Sequence, residues 1–296
     1  MMKRRQFIQS AGLLAASFAV LRPSIMCGAP SRLTKSSGKT GLQLYTLRSE
    51  LKAGTAKEVL ARVAAAGYKE VETYGFDPRS GFWGMSAKEF SQVLKDNGLS
   101  SPTGHYGADR FTARGGTKDD IMPHIEAAAE TGQKYFTVPY LSEPLRKSAD
   151  DYKHVAARLN EIAELCKTVR IGAAYHNHDF EFADQNGKTG YDILLSETSA
   201  DVKMELDIYW AVFAGKNPRE MFEAHPGRFT MWHVKDMSRA NRKENDEVGT
   251  GSIDYKEIFT HARTAGLEHY FVEQENNYMP DIYQSIRMSA DYLKTI

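Results

Sequence analysis

The sequence predicts a single-domain (β/α)8 TIM barrel, and three observations predict it. A unit of helix-like run, glycine and strand-like run recurs along the chain. Eight short apolar stretches fit buried parallel strands, which carry continuous apolar runs instead of alternation. The repeat fills residues 41–296, close to the ~250 residues usual for such a barrel.

The elements follow in order. The first strand begins near Gly41 and leads into "QLYTLR". In "VLARVAAAGYKEVETYG", Val59, Leu60 and Val63 recur at helical spacing, Gly67 ends the helix and a strand begins near Tyr68. In "EFSQVLKDNGLSSPTGHYG", Phe90, Val93 and Leu94 do the same before Gly98, and the third strand begins near Leu99. "IEAAAETGQKYFTVPY" turns at Gly132 into a fourth strand near Tyr135. Glycine at these positions supplies the left-handed conformation that closes a helix without a Cβ penalty. Strands five, six and seven begin near Ile171, Val202 and Phe229. The eighth begins near His269, after Gly266 in "EIFTHARTAGLEHYFVEQEN", and a last helix covers roughly 281–296. An open doubly wound sheet is the alternative. It is disfavoured because "QLYTLRSELKAGT", after the first strand, contains no glycine-rich nucleotide fingerprint. Long polar loops follow strand two ("DPRSGFWGMS") and strand seven ("SRANRKENDEVGTGSID"). In a barrel such loops gather at the C-terminal face, where sites are built.

The chain has 38 basic and 38 acidic side chains. Zero net charge argues against a nucleic-acid partner or an anionic membrane surface. No internal stretch is long and apolar enough for a transmembrane helix. The N-terminus reads differently. Lys3, Arg4 and Arg5 precede an apolar run from about Ala11 to Leu21, the pattern of an export signal. Arg4-Arg5 before Gln6-Phe7-Ile8 looks like the twin-arginine type, which exports folded proteins. Residues 1–29 are therefore expected to be an export signal, 30–40 a small polar linker and 41–296 the catalytic barrel, located in the periplasm. Cys27 is a candidate lipid-modified N-terminus, although Met26 fits that pattern poorly. With Cys27 and Cys166 as the two cysteines, no disulfide framework is expected.

The chemistry-bearing residues lie at strand ends. Strand five ends in "YHNHDFEF", giving His176, Asn177, His178 and Glu181. Strand six gives Glu205 and Asp207, strand seven His233, Lys235 and Asp236, and strand eight Glu273 and Glu275. Burying such groups costs several kcal/mol unless they are paired or bind metal. Four consecutive strands that end this way share one rim, and a divalent cation is their simplest common partner. Taken singly, each residue has a plainer reading. A lone strand-end histidine is usually a hydrogen-bonded structural residue. Asp207 fits a helix cap, and Lys235 with Asp236 fits a solvated pair. The letters "HNH" also occur in a nuclease motif, but that motif belongs to a compact hairpin-helix fold.

The order of "QLYTLR", "GYKEVETYG", "GHYG", "YHNHDFEF", "LDIYW", "WHVKD" and "VEQE" resembles the xylose isomerase-like TIM barrels, which include sugar isomerases and epimerases. The resemblance covers residues 41–296. It implies one divalent metal held by one side chain from each of strands five to eight. Carried over by position, the ligands are Asp207, His233 and Glu273, with His176 where the epimerases have a glutamate, and His178 as the second option there. It further implies that His105 lines the pocket and that Glu181 and Arg239 bind substrate. Replacing a glutamate by histidine removes one negative charge and moves the site from Mg²⁺ toward Mn²⁺, Co²⁺ or Zn²⁺.

The expected function is a metal-dependent carbohydrate isomerase or epimerase that abstracts a proton beside a carbonyl. Glu273 or His178 is the base, and Lys235 holds developing negative charge. Trp83, with Phe82 and Trp210, is a candidate cover for a sugar face. Export favours a non-phosphorylated sugar or keto-sugar. A 3-keto-glycoside lyase or hydrolase on the same barrel is the alternative. Readings of another class are a metal-dependent DNA-repair nuclease and a non-catalytic sugar-binding protein. A homodimer is left open.

Overall fold

The structure is a computed structural model and describes residues 38–296 apart from residue 53. The expected export signal and Cys27 lie outside the described residues, as does most of the linker. The barrel strands are Thr40–Gln43, Glu70–Thr73, Ser100–His105, Tyr135–Val138, Gly172–His176, Val202–Asp207, Met231–Val234 and His269–Val272. They are referred to below as strands one to eight. They form a closed parallel barrel in chain order. Strand one pairs with strand eight through Thr40–Tyr270, Gly41–Phe271 and Leu42–Val272.

Each strand begins within two residues of the predicted position. The largest offsets are at Tyr68 and Phe229, two residues ahead of their ladders. Both side chains are fully buried. The apolar pattern therefore reports burial, which begins before the inter-strand hydrogen bonds do. At the start, strand one includes Thr40, which had been assigned to the linker.

The helices face outward and obey local rules. Ala87–Asp96 opens with a capping box: Ser86 Oγ accepts from Glu89 N, and the Glu89 carboxylate accepts from Ser86 N. Helices Met122–Thr131 and Ala262–Ala265 end on Gly132 and Gly266, at φ of 88° and 81°. A non-glycine residue is strained there.

Strand periodicity sorts the side chains. On strand seven, Trp232 points outward and stacks on Phe222 of helix Pro218–Ala224, with ring centroids 4.9 Å apart. Its neighbour His233 points into the barrel. On strand six Leu206 faces out, while Glu205 and Asp207 both face in. The long loop after strand seven is ordered. Asp236–Met237 pairs antiparallel with Asn245–Asp246. The Asp236 carboxylate accepts from the N–H groups of Met237, Gly249, Gly251 and Ile253 at 2.8–3.0 Å. The plainer reading of Lys235 and Asp236 as a solvated pair does not hold, since both residues are 1% exposed and have different partners. Among the described residues no helix is long and apolar enough to cross a membrane.

Candidate metal centre

Four strands bring His176, Asp207, His233 and Glu273 together at the C-terminal rim. Each offers a donor atom, and the four donors lie within 4.8 Å of one another. His176 Nε2 is 3.1 Å from His233 Nδ1 and 3.4 Å from Asp207 Oδ2. His233 Nδ1 is 2.8 Å from Glu273 Oε2. Donors held at about 2.0–2.2 Å around one tetrahedral ion sit roughly 3.3 Å from each other, so these spacings suit a single cation.

The surroundings orient the donors. His176 Nδ1 lies 3.2 Å from the Pro139 carbonyl. A carbonyl can only accept, so Nδ1 carries the proton and Nε2 turns its lone pair toward the cage. Asp207 does cap helix Ile208–Phe213, Oδ1 accepting from Trp210 N at 3.0 Å. This occupies one oxygen and leaves Oδ2 facing His176. The capping and ligand readings of Asp207 are therefore compatible. Asn177 Oδ1 accepts from Asp207 N at 3.0 Å and locks strands five and six together at this height.

Lys235 is buried among Asp207, Glu273 and Glu275, with Nζ 3.0, 2.8 and 2.6 Å from their oxygens. Burial pulls its pKa down, but the three carboxylates outweigh burial and hold it well above the ordinary lysine value. For Glu273, burial pulls upward, and the charges of Lys235 and His233 overcome it to keep the carboxyl well below its usual range. Asp207 is likewise depressed: burial opposes ionisation, and Lys235 and His176 more than offset it. His178 behaves oppositely. Burial, then the nearby His176 and Lys235, pushes it well below the usual histidine value, so it is neutral. Its ring stacks on Phe180, and its buried Nδ1 has no hydrogen-bond partner among the described residues.

Beside this cage opens a cleft of about 410 Å³ lined by His105, His176, His178, Lys235, Glu273 and Glu275, with Tyr45, Tyr74 and Tyr140 among its walls. That volume suits a small molecule. A larger depression of about 620 Å³ lies elsewhere, beside Arg158 and Glu161. Arg158 there is already occupied by the carbonyls of Phe111 and Gly116 and by Glu161, and among the described residues no group of metal-type donors gathers there.

Three expected substrate contacts are not brought to the cleft. Glu181 is fully buried, accepting from the Tyr175 hydroxyl and, at 2.8 Å, from His178 N. It shapes the turn that carries His178. Burial raises its pKa to about 7 against the lowering effect of those hydrogen bonds. Arg239 is exposed on the loop beyond the Asp236–Met237 ribbon. The chain needs Asp236 to pin that loop, which turns position 239 outward. Trp83 packs edge-on against Tyr74 at 5.4 Å, and it is Tyr74 that lines the cleft. His105 does line the cleft.

Sequence reasoning missed Glu72 of strand two. It is fully buried, with Oε2 2.6 Å from His233 Nε2, and Gln43 Nε2 donates to the same oxygen. The alternation Glu70, Glu72 within "KEVET" was the available signal, since one face of a barrel strand must point inward. Glu205 was noted at its strand end but not joined to the site. Its Oε2 is 2.7 Å from His105 Nε2. Burial and the facing Glu205 drive Glu72 well above the usual carboxyl range. Glu205 itself is brought down to about 2, because His233 and His105 outweigh burial.

The strand ends thus place a buried imidazole–carboxylate cluster that could hold a cation at the C-terminal rim of a closed barrel. The chain belongs to the xylose isomerase-like TIM barrel family, whose sequence profile matches residues 60–295. Among solved structures it is similar to a sugar phosphate isomerase/epimerase from Parabacteroides distasonis ATCC 8503. That match has 28% identity and a TM-score of 0.75, covering 89% of this chain and 96% of the other. A 3-keto-D-glucoside 4-epimerase from E. coli shares the fold at 18% identity and a TM-score of 0.68, with 88% and 100% covered. So does IolI, solved with a bound zinc atom, at 15% identity and a TM-score of 0.65, with 87% and 96% covered. No curated protein matches the sequence.

Proposed function

We propose that this barrel is a metal-dependent carbohydrate isomerase or epimerase that abstracts a proton beside a carbonyl. The convergence of His176, Asp207, His233 and Glu273 on one point carries the reading. A divalent cation there supplies Lewis acidity toward a carbonyl and its neighbouring hydroxyl oxygen. Mixed nitrogen and oxygen donors suit Mn²⁺, Co²⁺ or Zn²⁺ better than Mg²⁺.

The protein's own groups divide the remaining work. His178 is neutral and lines the cleft beside the cage, and we assign it the role of taking the proton. Glu273 stays ionised, closes the cage and fixes the Lys235 ammonium. Lys235 stays protonated and faces the negative oxygen that develops on the substrate. Glu181 and the Pro139 carbonyl hold the two strand-five histidines in place.

A neutral sugar or keto-sugar fits better than a phosphorylated one. The cleft lining contains no arginine, and its lysine is already matched by three carboxylates. The similarity to a 3-keto-D-glucoside epimerase points to keto-sugars as the first class to try. The second reading, a 3-keto-glycoside lyase or hydrolase, uses the same proton abstraction and then expels the aglycone. The three tyrosines in the walls favour keeping it, since they give an aglycone a surface to lie on. The deciding experiment is incubation with a panel of sugars and 3-keto-glycosides in D₂O. Solvent deuterium should enter beside the carbonyl, and incorporation should stop on chelation and in Asp207→Ala. Turnover that survives both treatments would rule the mechanism out. No metal and no turnover would instead leave a sugar-binding protein.

A further inference from the structure

The outer cage uses one nitrogen of His233, and the other nitrogen faces a second group of donors. His233 Nε2 is 2.6 Å from Glu72 Oε2 and 3.5 Å from Glu205 Oε2. His105 Nε2 is 2.7 Å from Glu205 Oε2 and 3.2 Å from Glu72 Oε2. His105, His176, Glu205 and His233 also present donor atoms within 4.8 Å of one another. Glu205 lies two residues before Asp207 on the same face of strand six, one pleat step deeper in the barrel.

Hydrogen bonding alone leaves this group incomplete. Glu72 and Glu205 are both fully buried. Every short contact they make is through Oε2, and no hydrogen-bond partner reaches Oε1 of either. An orphaned oxygen on a buried carboxyl group is costly until a partner satisfies it, and Glu72 and Glu205 carry one each. Two of the spacings, 3.2 and 3.5 Å, match the roughly 3.3 Å expected between neighbouring ligands of one tetrahedral ion, and the other two are hydrogen-bond lengths that would open as a cation enters.

We propose that the barrel binds a second divalent cation, caged by His105 Nε2, Glu72, Glu205 and His233 Nε2. His233 then joins the two sites as an imidazolate, Nδ1 toward one and Nε2 toward the other, its ring protons leaving to solvent as the cations bind. The inner ion borders the cleft on its His105 side, where it holds a further hydroxyl of the sugar. This proposal rests on the reading that the outer cage binds metal.

The test counts and locates ions. Full-length protein is stripped with a chelator, dialysed against Mn²⁺ and assayed for bound manganese, and the ions are placed by anomalous diffraction. The expected result is two manganese ions per chain, about one in Glu205→Gln, and about one in His105→Ala. The ion left in each variant should sit among His176, Asp207, His233 and Glu273. A single ion in the outer cage of the wild type, unchanged in Glu205→Gln, overturns the inner site and leaves the outer one standing. No ordered ion in either place overturns both. Should Glu205→Gln fail to fold, His105→Ala at the cleft edge supplies the count, and the wild-type stoichiometry depends on neither variant.

Discussion

Histidine 178 and Glu181 show how two residues three apart take different work. His178 Nδ1 has no hydrogen-bond partner among the described residues, whereas Glu181 is spent on holding His178 N and the Tyr175 hydroxyl. We expect His178→Ala to lower turnover by roughly 10²–10⁴-fold, the usual worth of a positioned base, with metal content unchanged on elemental analysis. Asp207→Ala should lose metal and turnover together. Glu181 makes a separate prediction about pH. Its folded pKa of about 7 lies above the ordinary carboxyl value, so its contribution to stability is complete below about 4.5 and disappears as pH rises through 7. Glu181→Gln should therefore gain on the wild type between pH 4.5 and 7 in urea unfolding, by up to about 3 kcal/mol. An unchanged difference across that window would contradict the burial argument. The inward donors were legible in the sequence where strand ends carried His, Asp or Glu after an apolar run. Glu72 was not, because it sits inside a short strand between Val71 and Thr73 and only the closed barrel turns it toward His233. Arg239 misled for the converse reason: its distance along the chain from His233 says nothing about a loop that Asp236 folds back.

Strand three is the element most exposed to a packing change. A Cβ at Gly104 would come 2.1 Å from Thr73 Oγ1 and 2.8 Å from Gln133 Nε2. Those two groups are hydrogen-bonded to each other at 3.0 Å and cannot easily part. Gly104→Ala should destabilise by about 1–3 kcal/mol, as overpacked cores do, and should also displace His105 next door and so weaken substrate binding. By contrast Ser86→Ala removes one cap on an outer helix and should cost about 1 kcal/mol with kinetics unchanged. Chemical denaturation beside steady-state kinetics separates the two. At this scale the sequence was informative: glycine-terminated helices and apolar runs located the start of every barrel strand within two residues. The ordered ribbon after strand seven escaped notice, since its two-residue strands are pinned by a carboxylate on backbone N–H groups and carry no periodicity.

For the molecule as a whole, metal and stability are linked. Three buried carboxylates, Glu205, Asp207 and Glu273, crowd one rim and repel one another when a cation between them is removed. A cation at a thousandfold excess over its Kd adds about 4 kcal/mol, so chelation should lower Tm by roughly 10 °C. Differential scanning calorimetry with and without chelator measures this, and identical curves would argue against a bound ion. We propose that residues 1–29 direct export of the folded chain. Replacing Arg4 and Arg5 with lysine should retain the protein in the cytoplasm on cell fractionation. The closing seam between strands one and eight bears on that route. Thr40 finds its partner Tyr270 some 230 positions later, so during synthesis the barrel waits, with two raw sheet edges, until almost the last helix has left the ribosome. Such an open intermediate is slow to finish and prone to stick to its neighbours. A translocation pathway that admits cargo after the seam has shut would keep that vulnerable stage inside the cell, within reach of chaperones.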